Sequence, residues 1–228
     1  MFEWRSLTFF IYMATAGLLL GLFSAAASAA PPQEFQLTDT SVRQVEQTAR
    51  RMARELSPLL AQPIRVAVVE RSEPTPMAST ISRSGTCVVI VNKTESAWQN
   101  WAMFYTRGKL TAQEVFEFAA AHEIAHCVNK LLPENAPMQT LSAGRQSETY
   151  ADLFALAHLA QEKSPEDMKR ILDSVISIRE GFSSFFFSSH ATAGAIRKVY
   201  EQLLNAEGTD RSLQETLSLS FDLYAKSA

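Results

Sequence analysis

Cysteine is scarce in this chain: Cys87 and Cys127 are its only two. Two thiols cannot build a four-ligand structural zinc site of the cysteine-rich kind. No cysteine follows the N-terminal apolar segment closely, which excludes a lipoprotein anchor there. No run of Lys and Arg occurs, and the net charge is −3. The densest basic cluster, Arg50, Arg51 and Arg54, reads as an ordinary solvated helix face. Nucleic-acid binding, which needs a concentrated basic patch, is therefore not expected. The chain has no glycine-rich phosphate loop, no nucleophile-elbow serine, no internal repeat and no low-complexity linker. Its 46% hydrophobic and 20% charged composition lacks the signature of disorder. Beyond residue 30 no apolar run reaches membrane-spanning length.

What is there begins with an N-terminal pattern in three parts. Arg5 lies in a short charged region, an apolar stretch runs from Leu7 to Phe23, and small residues fill Ser24 to Ala30. This is the pattern of a secretory signal peptide, and Ala27-Ser28-Ala29 places the cut after Ala29. Because the apolar stretch is long for such a peptide, an uncleaved membrane anchor is the rival reading. The mature chain, residues 30–228, is expected to be one domain, periplasmic or secreted. An exported chain can oxidise Cys87 and Cys127 to a disulfide. Two buried free thiols, packing as small hydrophobes, are the alternative.

Apolar residues at Val42, Val45, Ala49, Met52, Ala53 and Leu56 recur at helical spacing, with Pro58 and Pro63 ending the helix. Ile64 to Val69 and Thr86 to Val91 are rich in β-branched residues and read as strands, joined through a loop with Pro74 and Pro76. The rest reads as helical. Glu95–Tyr105 is a short helix, and a capping box at Thr111 and Glu114 opens another that Pro133 stops. Helices then follow at about 146–162, 165–181, 191–205 and 212–225. The expected class is α+β, mostly helical, with a small sheet.

The helix opened by Thr111 carries His122-Glu123-Ile124-Ala125-His126. Four residues make about 400° of rotation, so both imidazoles leave one face and can chelate one zinc ion. Glu123, beside the first ligand, can act as general base on a water bound there. A catalytic zinc needs a third protein ligand and an open position. Asn129 and Leu132 stand where the metzincin pattern requires Gly and His, which excludes that class. The next helix offers Glu148 and Asp152, again four apart on one face. Glu148 as third ligand leaves Asp152 to orient a ligand histidine from the second layer. The reverse assignment, Asp152 as ligand, also fits the spacing.

The HEIAH motif, a gap of about twenty residues and Glu148-x-x-x-Asp152 resemble the gluzincin class of zinc metallopeptidases. Glu148, Ala151, Asp152, Phe154 and Ala155 are similar to the pattern of ImmA/IrrE-type peptidases. The resemblance covers roughly residues 86–160. It implies a zincin-like core with the sheet lying over the catalytic helix, His122, His126 and Glu148 on Zn2+, and Glu123 as base. The export signal departs from the intracellular members of that pattern, so their regulatory substrates do not carry over.

His190 is the candidate donor to an oxyanion, with Tyr150 and Arg197 as weaker ones. His158 reads as a satisfied polar residue at the edge of the site. The strand at 86–91 could be the edge that pairs with an extended peptide. Phe182 and Phe185 to Phe187 read as core, or as a substrate pocket or membrane-facing patch. The expected activity is hydrolysis of a peptide or protein substrate. The rivals are an amidase acting on cell-wall peptide stems, and an envelope binding or assembly factor with a vestigial zinc site.

Overall fold

Helix α1 (Asp39–Leu56) buries one stripe, with Val45, Ala49, Met52 and Leu56 fully enclosed, and a 3-10 turn containing Pro58 ends it. The structure is a computed structural model and describes residues 39–72, 75–99, 101, 108–132, 144–181, 190–206 and 211–227, which belong to one compact unit. The segment expected to be a signal peptide and the aromatic run at Phe182 and Phe185 to Phe187 lie outside the described residues.

Three strands follow: β1 (Arg65–Val69), β2 (Met77–Ile81) and β3 (Cys87–Asn92). Their order is β1-β3-β2, with β1 parallel and β2 antiparallel to β3. Two sequence expectations are corrected here. Residues 77–81, expected in a loop, form strand β2. The strand at 86–91, expected as a free edge, is the central strand and already hydrogen-bonds a neighbour on each side. Met77, Ser79 and Ile81 pair with Val91, Val89 and Cys87, so Ser79 shares the face that carries the buried Cys87, Val89 and Val91. The β2–β3 turn needs a left-handed residue, supplied by Gly85 at φ 81°.

The helices are α2 (Glu95–Gln99), α3 (Ala112–Leu131), α4 (Arg145–Leu159), α5 (Pro165–Gly181), α6 (Ala193–Lys198), α7 (Tyr200–Leu204) and α8 (Leu213–Ser227). The single helix expected over 191–205 is two, because the backbone of Val199 leaves the helical region at φ −113°, ψ 13°. The fold is α+β and mostly helical. Helix α3 is its centre, packing against α1, β2, β3 and α4, while α8 covers α4. Among the described residues no helix is long and apolar enough to cross a membrane.

Two local devices fix α3. Cys87 of β3 and Cys127 of α3 form a disulfide, both ends fully buried. At its start the capping box closes: the Glu114 amide donates to Thr111 Oγ1, and the Thr111 amide donates to Glu114 Oε2 at 2.8 Å. Arg170 of α5 grips the same carboxylate with both Nη atoms, at 2.9 and 2.7 Å. Burial alone would raise the Glu114 carboxyl, but Arg170 and the Thr111 amide outweigh it and hold it below its ordinary value near 4.5.

Two predictions follow from these devices. Removing the disulfide, by Cys87→Ala with Cys127→Ala, should cost about 2–4 kcal/mol of unfolding free energy in urea, because a bridge spanning 40 residues restricts the unfolded chain. Glu114→Gln should cost about 1–3 kcal/mol above pH 5, from the lost charged contacts. A depressed carboxyl stabilises the fold only while ionised, so this deficit should shrink as pH falls below about 4. A deficit of constant size from pH 7 to pH 3 would contradict it.

Candidate metal centre

Helix α3 reads as hydrophobic on nearly every side, with Phe118, Ala119, Ala120, Ala121, Ile124 and Ala125 all fully enclosed. Polar side chains on such a helix must find partners inside the protein. Those of His122 and His126 find theirs on α4. His122 Nδ1 lies 3.0 Å from Asp152 Oδ1, and His126 Nδ1 lies 2.9 Å from Ser147 Oγ. His122 meets the later residue and His126 the earlier one, so the two helices run antiparallel.

With both Nδ1 atoms turned to α4, both Nε2 atoms turn to a common point. They lie 3.2 Å apart. Glu148 faces the same point, with Oε2 3.2 Å from His122 Nε2 and Oε1 3.5 Å from His126 Nε2. The donor atoms of His122, His126 and Glu148 all fall within 4.8 Å of one another. Glu148 Oε2 is enclosed, and no hydrogen bond satisfies it. With protons on Nδ1, the two Nε2 lone pairs would confront each other and a carboxylate oxygen. A second proton on His122 resolves that conflict in the metal-free chain, a cation among the three donors resolves it as well, and two imidazoles with one carboxylate suit zinc. These residues fit the metal that the motif implies.

The charges are sorted unevenly. Burial pulls His122 down, but Asp152 and Glu148 outweigh it and lift this imidazole well above its usual range, to about 10. Burial and the neighbouring charge on His122 push His126 down to about 3. Burial would raise Glu148, yet the three histidines around it, His122 foremost, bring it to about 2. Glu123 moves the other way. Burial lifts its carboxyl; the charge of His122 and a hydrogen bond with the Ser79 side chain on β2 oppose the lift, the charge of Glu148 adds to it, and burial prevails.

Asp152 does not reach the common point. It has no solvent exposure, and it accepts from His122 Nδ1, Arg179 Nη2 and Thr192 Oγ1. Of the two assignments open in the sequence, the geometry brings Glu148 to the histidine Nε2 atoms and Asp152 behind His122. His190 also arrives, with Nε2 3.5 Å from Glu148 Oε2 and a side chain 39% exposed.

The weaker candidates fall elsewhere. Tyr150 leaves α4 on the face toward α8, where its ring stacks on Phe221 at 4.7 Å. Arg197 pairs with Glu180 on the surface. His158 is not a satisfied residue at the site's edge: ten residues of helix, about 15 Å, separate it from Glu148. Its Nδ1 is enclosed without a hydrogen-bond partner, and burial, with Arg51 and Lys163 adding, lowers its pKa to about 4. Sequence reasoning missed Ser79, Ser147, Arg179 and Thr192. Ser147 lies five residues before Asp152, about 500° of rotation, so the four-residue spacing that links Glu148 to Asp152 does not include it.

No family model matches the chain, and no curated protein or solved structure matches it either. What the site can do is carried by its donors and their arrangement.

Zinc should raise the melting temperature of the wild-type chain and leave that of Glu148→Ala nearly unchanged. Free zinc at about 1,000 times its dissociation constant stabilises by about 4 kcal/mol. An equal zinc-induced rise in Glu148→Ala would remove Glu148 from the ligand set.

Proposed function

We propose that this chain is an exported zinc metallopeptidase of gluzincin type, with a zincin-like core, His122, His126 and Glu148 as metal ligands and Glu123 as general base. The observation that carries the proposal is the convergence of two imidazole Nε2 atoms and one carboxylate within 4.8 Å, next to a second, buried carboxylate. His122, His126 and Glu148 would hold a zinc ion with three protein donors, a number that suits a catalytic rather than a structural site.

Zinc held there supplies a Lewis acid and a water of lowered pKa. Glu123, enclosed and with its carboxyl raised by burial, is suited to take a proton from the attacking water and return it to the leaving amine nitrogen. Ser79 fixes that carboxyl from the sheet side. His190, half-exposed beside Glu148, is placed to donate its ring N–H to the oxyanion that forms on the scissile carbonyl. As an edge strand on the face of α3, β2 takes the role first given to residues 86–91: its outer backbone can pair with an extended peptide. Export rests on the three-part pattern at residues 1–29. The Cys87–Cys127 disulfide supports it, because such bonds persist in oxidising compartments.

The mature protein should contain one zinc per chain and cleave a peptide library in a chelator-sensitive manner. Glu123→Gln should keep the metal and lose at least about a hundredfold in kcat, since a positioned base contributes 10²–10⁴. His122→Ala should lose both metal and activity. Full activity in Glu123→Gln would sink the mechanism. Cleavage of purified peptidoglycan but not casein would replace the peptidase with the cell-wall amidase, and zinc binding without any cleavage would favour the assembly factor.

A further inference from the structure

We propose that helix α5 is part of the metal centre, with Arg179 and Thr192 as positioning residues that hold the His122 imidazole through Asp152. The proposal rests on the reading of His122 as a zinc ligand and concerns what fixes that ligand in place.

Asp152 lies wholly out of solvent, and Arg179 is 3% exposed. A carboxylate has lone pairs for about four hydrogen bonds. Three of these are filled from three different elements: His122 Nδ1 of α3 and Arg179 Nη2 of α5 at Oδ1, and Thr192 Oγ1, just ahead of α6, at Oδ2. With both oxygens engaged, the carboxylate cannot turn without breaking a contact. The lobe of Oδ1 that faces His122 is therefore fixed.

Arg179 reaches His122 by a second route. Its guanidinium lies 5.9 Å from the centroid of the Phe118 ring, and Phe118 stacks on His122 at 6.0 Å with 28° between the planes. One planar cation thus braces both the acceptor behind the imidazole and the ring beside it. Lysine, a point charge without the planar fork, could not serve both contacts. The other ligand is held differently. His126 Nδ1 meets the neutral hydroxyl of Ser147, which lies on α4 beside Glu148. Among the described residues, the His122 side of the centre is clamped by the C-terminal helices, and the His126 side by Ser147 of α4.

Zinc affinity, measured by competition with a chromophoric chelator on the full mature chain, tests this. Partners behind a metal ligand are worth about 10–100-fold in affinity. Asp152→Asn should weaken zinc by that factor and Arg179→Met by about tenfold. The two losses should not multiply in the double variant, because Arg179 acts largely through Asp152 and only its contact with the Phe118 ring is independent of that carboxylate. Thr192→Val should weaken zinc a few-fold, and Thr192→Ser should restore it. Wild-type affinity in Arg179→Met, or losses that multiply in the double variant, would overturn the role of Arg179. Should Arg179→Met not fold, as judged by far-ultraviolet circular dichroism, the threonine pair decides: wild-type affinity in Thr192→Val overturns the clamp. If the wild-type chain itself binds no zinc, the metal site is wrong and this role falls with it; zinc bound equally by wild type and variants sinks the clamp alone.

Discussion

A carboxylate without solvent exposure sits where α3, α4, α5 and the start of α6 meet. Moving an ion of that size out of water costs several kcal/mol even after relaxation. Asp152 can stay there only if the lost hydration is replaced by donors at fixed positions. Burial would raise its pKa, yet Arg179 first, and then His122, hold it well below the usual carboxylate range. The arginine is itself buried, so each ion depends on the other. That mutual dependence constrains the fold: α5 must bring residue 179 to residue 152, and the chain after it must bring Thr192 to the remaining oxygen. The C-terminal helices thereby gain a fixed docking position on a pair of helices that already carry the histidines.

The same neighbourhood pushes two carboxylates apart. Glu148 is surrounded by imidazoles and stays ionised far into acid. Glu123 faces the sheet, loses hydration and gains a like-charged neighbour, so it holds a proton more readily. Acid–base chemistry at neutral pH needs titratable groups whose environments push them apart in this way. The two environments arise from helix geometry. Residue 123 points about 100° away from residue 122, toward β2 and Ser79, while residues 122 and 126 point toward α4.

Much of this was legible in the sequence, and the particular residues show why. The stripe at Val45, Ala49, Met52 and Leu56, the capping box at Thr111 and the four-residue spacings of 122 to 126 and 148 to 152 are local periodicities, and local periodicity is what a single sequence displays; the choice between Glu148 and Asp152 is not, and it stayed open there. Strand β2 was not legible, because Met77-Ala78-Ser79-Thr80-Ile81 has weak strand character and follows Pro76. Its conformation comes from the ladder to β3, a long-range cause. The position of β3 between two partners, rather than at an edge, depends on β2 and was missed for the same reason. Arg179 and Thr192 lie 27 and 40 residues beyond Asp152, on elements whose docking no spacing rule reports. The disulfide stood as one of two open readings, since 40 residues separate its ends and only the packing of β3 on α3 brings them together.

Side-chain length then explains the composition of the central helix. Serine reaches one carbon from its backbone and aspartate two, yet Ser147 and Asp152 both meet imidazoles at about 3 Å across a helix interface. So short a reach demands close backbones. Ala119, one turn from His122 on α3, and Ala151 and Ala155, one turn from Glu148 and Asp152 on α4, are fully buried on the faces that carry these residues. Leucine at these positions would gain apolar area but widen the gap that the short polar side chains must bridge. Alanine at these positions sets the spacing at which two histidines can be held from behind by residues as short as serine and aspartate.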